Sequence, residues 1–183
     1  MKKTSRPRCV LLDACIIIEA HLLGVWESLV DQVEILVSSI VAHDEALFYV
    51  KGELIAALDL KTFITKGKIQ EVAATVREMA SLMDIFDRSF TDVLHDGEIE
   101  ALALILQQKV GEARYCSCDG AALKALAMIG QAEKGISMEA LLLSIGRSKQ
   151  VKRQFSERFF QEKIGEGQRN RITGTGLKSR VPF

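Results

Sequence analysis

The chain has 183 residues and a mass of 20.3 kDa, enough for one ordinary domain with a buried core plus a short extension. Hydrophobic residues at 48% and charged residues at 26% exclude wholesale disorder. No apolar run nears the roughly 18–20 residues that a membrane span needs. The formal charge of zero hides an asymmetry: ten Lys/Arg face three Asp/Glu from Arg147 onward, against 14 and 21 before it, so an acidic body carries a basic tail.

The N-terminus (Met1-Lys-Lys-Thr-Ser-Arg-Pro-Arg8) is basic, but Asp13 breaks the apolar stretch behind it, which does not fit a secretory signal. Cys9-Val-Leu-Leu-Asp13 predicts a strand buried on both faces, as in a parallel sheet, closed by a carboxylate. Residues 14–30 are helix-compatible with a break at Gly24, and Glu34-Ile-Leu-Val37 predicts a second buried strand. Ser38-Ser-Ile-Val-Ala-His-Asp-Glu45 opens a helix with a serine cap and acids in its first turns. Residues 54–60 form a weaker segment. The stripe Val72, Val76, Met79, Ala80, Met83 predicts a helix over 69–83, and Asp84-Ile-Phe-Asp87 a short third strand. His95-Asp-Gly-Glu98 starts a helix over 99–109, and Arg114-Tyr-Cys-Ser-Cys-Asp119 is a fourth strand ending in an acid. A helix over 120–130, a fifth strand over 135–138 and a helix reaching Ile145 complete the body. Strands alternating with helices predict an α/β domain with a mostly parallel, five-stranded sheet. Composition divides the chain into a body, 1–146, and a basic extension, 147–183. In the extension Val151, Phe155 and Phe159 suggest an amphipathic helix over 150–164, followed from Gly165 by a loose tail. The four cysteines, Cys9, Cys15, Cys116 and Cys118, lack zinc-site spacing and read as buried thiols in a reducing cytoplasm.

Open parallel sheets hold their ligands beyond the carboxyl ends of the strands. Asp13 and Asp119 both follow strand residues directly, so the topology would deliver two carboxylates to one edge. Two acids there are a nucleus for a Mg²⁺ or Mn²⁺ site, since these ions take carboxylate oxygens and keep much of their water. The competing reading makes each Asp a helix cap. No glycine-rich phosphate loop appears anywhere, which weighs against a nucleotide-binding domain.

Four segments in order carry a resemblance to a known family. Val10-Leu-Leu-Asp13-Ala-Cys-Ile-Ile-Ile resembles the opening strand and first acid of the PIN domains, small metal-dependent ribonucleases that include the VapC-like toxins of toxin–antitoxin pairs. Ser38-Ser-Ile-Val-Ala-His-Asp-Glu45-Ala-Leu-Phe-Tyr is similar to their serine-led second segment, Gly97-Glu98-Ile-Glu100-Ala-Leu-Ala-Leu to the Gly-Glu-x-Glu-Ala helix of one branch, and Tyr115-Cys-Ser117-Cys-Asp119-Gly-Ala-Ala-Leu to the fourth-strand motif. The likeness spans about 9–145 and implies a three-layer α/β/α domain.

The resemblance implies Asp13, Glu45, Glu100 and Asp119 as catalytic, metal-holding acids, with Ser117 orienting Asp119 through a hydrogen bond. Residues two apart on a helix point about 200° away from each other, so Glu98 and Glu100 cannot both face one ion. Glu100 is favoured, because Glu98 in the first turn has a structural reason to be acidic. Glu45 is favoured over Asp44 by its spacing from Ser39, and His43 and His95 read as surface residues. Such a cluster, with one or two Mg²⁺ or Mn²⁺ ions, suits phosphodiester hydrolysis by an activated water. The implied function is a cytoplasmic endoribonuclease acting on RNA, the toxin of a toxin–antitoxin pair with an antitoxin partner, and a homodimer, with no membrane association. Lys152, Arg153 and Arg158 of the extension are candidates for phosphate contacts. The alternative is a non-catalytic module of the same fold that binds RNA or another partner.

Overall fold

The architecture follows from short apolar strands that deliver polar residues at their ends. A computed structural model describes residues 9–178. In chain order it contains β1 (Cys9–Leu12), α1 (Ala14–Leu22), α2 (Trp26–Gln32), β2 (Glu34–Ser38), a π-helical turn (Val41–Glu45), the hairpin β3 (Phe48–Lys51) and β4 (Leu54–Ala57), and α3 (Leu60–Thr65). Then come β5 (Ile69–Val72), α4 (Val76–Met83), α5 (Arg88–Thr91), α6 (Asp96–Leu106), β6 (Arg114–Cys116), α7 (Gly120–Met128), α8 (Met138–Ser144) and α9 (Glu157–Thr173).

The central sheet is four-stranded and wholly parallel, in the order β5-β2-β1-β6, with Val10 in register with Ile35 on one side and Arg114 on the other. Alternating side chains feed two cores. Leu11, Leu36 and Tyr115 face a cluster built with α6, α7 and α9, while Val10, Leu12, Ile35, Val37 and Cys116 face one built with α1, α2 and α8. Helices therefore cover both faces, a three-layer α/β/α arrangement. Parallel strands buried on both sides need near-continuous apolar runs, which is what Val10-Leu-Leu and Ile35-Leu-Val supply.

The chain runs outward from β1 through β2 to β5 and then returns to place β6 on the other side of β1. The order therefore reverses between β1 and β6, and the crevice at such a reversal is where ligands bind in open α/β sheets. Asp13 and Asp119 flank it.

Several expected elements differ. The sheet has four strands and not five, because residues 135–138 contribute a single parallel bridge between Tyr115 and Gly135. Residues 84–87 are no sheet strand either; Phe86 makes one antiparallel bridge with Leu177. The helix expected over 69–83 divides into β5 and α4. Thr75 ends the run with a capping box, its backbone N–H donating to Glu78 at 2.6 Å and its hydroxyl accepting from the Glu78 N–H at 3.3 Å. The stripe that suggested one helix fails at Val76, which is 84% exposed.

The extension is not loose beyond Gly165. α9 continues to Thr173 and ends on Gly174 in the left-handed region (φ 79°). Phe160 and Ile164 of α9 are buried in the same cluster as α6 and α7. Gly167 lets the helix backbones approach closely: a Cβ there would stand 2.8 Å from the Ala127 Cβ and closer still to the Lys124 carbonyl. Among the described residues no helix is long and apolar enough to cross a membrane.

Candidate functional site

Asp13 follows β1 and turns into α1. Its backbone N–H still joins the sheet edge, donating to the Cys116 carbonyl at 3.1 Å, while its carboxylate accepts from the Ala14 N–H at 2.8 Å as the cap of α1. The second carboxylate oxygen accepts from the Ser117 hydroxyl at 2.6 Å. Ser117 in turn accepts from the Asp119 N–H at 3.0 Å, so one hydroxyl links the ends of β1 and β6. Asp119 caps α7, accepting from the N–H groups of Ala121 (2.6 Å) and Ala122 (3.1 Å). Each Asp is thus a helix cap, and the two still converge at the reversal point of the sheet. Ser117 bonds directly to Asp13 and meets Asp119 through the backbone.

Two further acids arrive from outside the sheet. Glu45 ends the π-helical turn behind β2 and accepts from the Gly97 N–H at 3.0 Å, at the start of α6. Only glycine leaves room for this: a Cβ on residue 97 would stand 2.7 Å from the Glu45 carboxylate carbon. Glu98, one residue on, accepts from the His95 N–H at 3.0 Å and is 4% exposed. One carboxylate oxygen of Glu98, one of Asp119 and one ring nitrogen of His95 all lie within 4.8 Å of one another.

The electrostatics reflect this crowding. Burial pushes the Glu98 carboxyl up to about 8, and the charges of Asp119, Asp13 and Glu45 push in the same direction. Asp13 is also raised, mainly by burial, against the lowering pull of its hydrogen bonds from Ser117 and Ala14. Glu45 is raised by burial and by Asp13, opposed by the Gly97 N–H. The Tyr115 hydroxyl, in β6, is fully buried. Burial raises the pKa of this phenol, Asp13 and Glu98 lie close enough to raise it further, and a hydrogen bond with Ser117 opposes them.

Glu100 has a different position. Its carboxylate accepts from the Ile40 N–H at 2.7 Å and the Ala74 N–H at 3.1 Å, so it pins α6 to the segments that follow β2 and β5. The structure brings Glu98, and not Glu100, beside Asp119. Asp44 is exposed on the outside of the π-helical turn. His43 approaches Glu71 at 3.0 Å, and Ser39 donates to the same Glu71 oxygen at 2.9 Å. His95 was read from sequence as a surface residue; the signal for its place at the site is its position three residues before Glu98, where the helix begins.

The cations of the extension are largely engaged within the protein. Lys152 sits 2.9 Å from Glu19, a buried acid of α1, and Arg153 lies 3.4 Å from Glu162. Arg158 is exposed. Comparison of the chain with family models, with curated proteins and with solved structures returns no match.

Proposed function

We propose that this protein is a PIN-like, divalent-metal-dependent endoribonuclease, with Asp13, Glu45, Glu98 and Asp119 as its acids. One observation carries the reading: Glu98 and Asp119 bring carboxylate oxygens within 4.8 Å of one another at the reversal point of a parallel sheet, and the charges of Asp13 and Glu45, from two further segments, reach Glu98, which burial drives to about 8. Such mutual repulsion costs stability in the absence of a cation and is relieved by one, so the donor set suits a hard divalent ion, Mg²⁺ or Mn²⁺.

When bound, the ion would neutralise a phosphodiester and acidify a water. The chain's own contribution is positional. Ser117 holds the Asp13 carboxylate, the Gly97 N–H holds Glu45, and the His95 N–H holds Glu98, so the acids are fixed before substrate arrives. Arg158, exposed at the start of α9, is the one of the three candidate cations not engaged in a described ion pair and could meet an RNA phosphate, Lys152 and Arg153 being paired. Acting as a toxin, the protein would form a homodimer and be restrained by an antitoxin.

The test is cleavage of a mixed-sequence RNA by the wild type and by Asp13→Asn, with Mg²⁺, Mn²⁺ or a chelator present. Cleavage should require metal and vanish in the variant. A variant that cuts as well as the wild type, or cutting that survives chelation, refutes the proposal; metal binding without any cleavage would favour a binding module of the same architecture.

A further inference from the structure

His95 makes the acid site chemically unusual. It caps α6 with an extended backbone (φ −88°, ψ 159°), which places the ring at the helix start, and its side chain is 75% exposed. Its Nδ1 approaches Glu98 Oε2 at 3.6 Å, longer than a hydrogen bond, and the His95 side chain accepts from the Glu98 backbone N–H in a capping box, so one ring nitrogen serves the helix start and the other is left for an ion. The other two histidines are committed elsewhere. His21 Nδ1 lies 2.8 Å from the Ile17 carbonyl and its ring stacks on Trp26, while His43 sits against Glu71. His95 alone shares a 4.8 Å circle with two acids of the site.

We propose that His95 is a direct metal ligand, making this a mixed imidazole–carboxylate site that prefers Mn²⁺ and later first-row ions to Mg²⁺. The inference rests on the metal-site reading above and names the ion's class. Mg²⁺ demands oxygen ligands in near-ideal octahedral geometry and gains little from nitrogen, whereas imidazole suits the transition-metal ions and strengthens binding along that series. Glu98 carries both functions of the helix start: it accepts the His95 N–H and presents its carboxylate to Asp119. The short link from His95 to Glu98 then delivers a nitrogen and an oxygen to one ion.

The experiment uses the full-length protein loaded with Mn²⁺ and read by pulsed electron paramagnetic resonance, where a coordinated imidazole leaves a ¹⁴N modulation. His95→Gln removes the ring, and His95→Asn does so while keeping a good helix cap. Wild type should show the modulation and both variants should lose it. Mn²⁺ affinity by calorimetry should fall about tenfold in both, with Mg²⁺ affinity changed less than about twofold. Wild-type protein that binds Mn²⁺ without the ¹⁴N signal overturns the role of His95 and leaves the acid site standing. Equal weakening of Mn²⁺ and Mg²⁺ overturns it too, assigning His95 to the helix cap. Failure of wild type to bind either ion sinks the acid site itself, and this inference with it.

Discussion

Glu98→Gln and Glu100→Gln should have opposite effects, although the residues are two apart on one helix. Glu98 titrates near 8 in the folded protein against an ordinary value of 4.5. An acid whose folded pKa is raised makes the folded state bind more protons between those values, so stability falls as pH rises from about 4.5 to about 8 and levels off above. At pH 7 the raised pKa would cost about 3 kcal/mol of stability if the whole shift acted, because the unfolded chain ionises Glu98 freely and the folded one does not, and water reaching the site lowers this to roughly 1–3 kcal/mol. Glutamine carries no charge and still accepts the His95 N–H, so Glu98→Gln should recover that amount at pH 7–8 and nothing near pH 4. For a chain of this size that is a rise in Tm of about 2–10 °C. Glu100→Gln should instead cost about 2–4 kcal/mol at pH 8, because one amide oxygen must replace two carboxylate oxygens that accept from Ile40 and Ala74. Metal-dependent stabilisation should disappear in Glu98→Gln and persist in Glu100→Gln. The assay is thermal unfolding of both variants at pH 4.5 and 8, with and without Mn²⁺. A Glu98→Gln protein less stable than wild type at pH 8, or a Glu100→Gln protein that keeps its stability but ignores Mn²⁺, would refute the division of labour.

Gly97→Ala should displace the flexible Glu45 carboxylate and leave the fold almost intact, within about 1 kcal/mol by urea denaturation, while Mn²⁺ stabilisation and RNA cleavage drop at least tenfold. Phe160→Ala should cost about 3–5 kcal/mol in the same assay, and removal of all residues after Gly146 should yield insoluble protein, because α9 fills the core beside α7; a soluble, cooperatively folding truncation would contradict that packing. Lys152→Met leaves the buried Glu19 unpaired and should cost about 1–2 kcal/mol, with the salt dependence of RNA binding unchanged. A salt slope lower by about one would instead place Lys152 on a phosphate.

Much of the sheet was legible because short apolar runs between breaks suit parallel strands: Val10-Leu-Leu and Ile35-Leu-Val are too short for a buried helix, and the acids behind β1 and β6 mark where the strands stop. The misread segments are those where short-range pattern underdetermines period. Ile69-Gln-Glu-Val72 followed by a helix presents apolar residues at 72, 76, 79, 80 and 83, which imitates one helical face, and the decisive signal was the Thr75-x-x-Glu78 capping box. The hairpin was missed although Phe48-Tyr-Val has high strand propensity and Gly52, at φ 63°, opens a two-residue turn. Composition misjudged the extension for another reason. Glycines and charges in 165–173 suggest a loose chain, but Gly167 is there for close helix packing, which is tertiary and invisible to a local scan.

The choice between the two glutamates shows why a helix can be predicted and its chemistry still be left open. Periodicity requires that Glu98 and Glu100 diverge, and this was readable without coordinates. Which of them meets the other acids depends on the phase of α6 against the sheet, and phase is set by long-range contacts: the Ile40 and Ala74 N–H groups on one side, and Glu45 against Gly97 on the other. An acid in the first turn also seemed explained by the helix dipole alone. That explanation holds and does not compete with the second, because one carboxylate can accept the His95 N–H and still offer an oxygen to the proposed ion. Asp13 and Asp119 repeat the pattern, each capping a helix with the same group that it presents at the sheet edge. In this fold the capping interactions are what hold the acids still, so the cap and the proposed ligand would be two consequences of one placement.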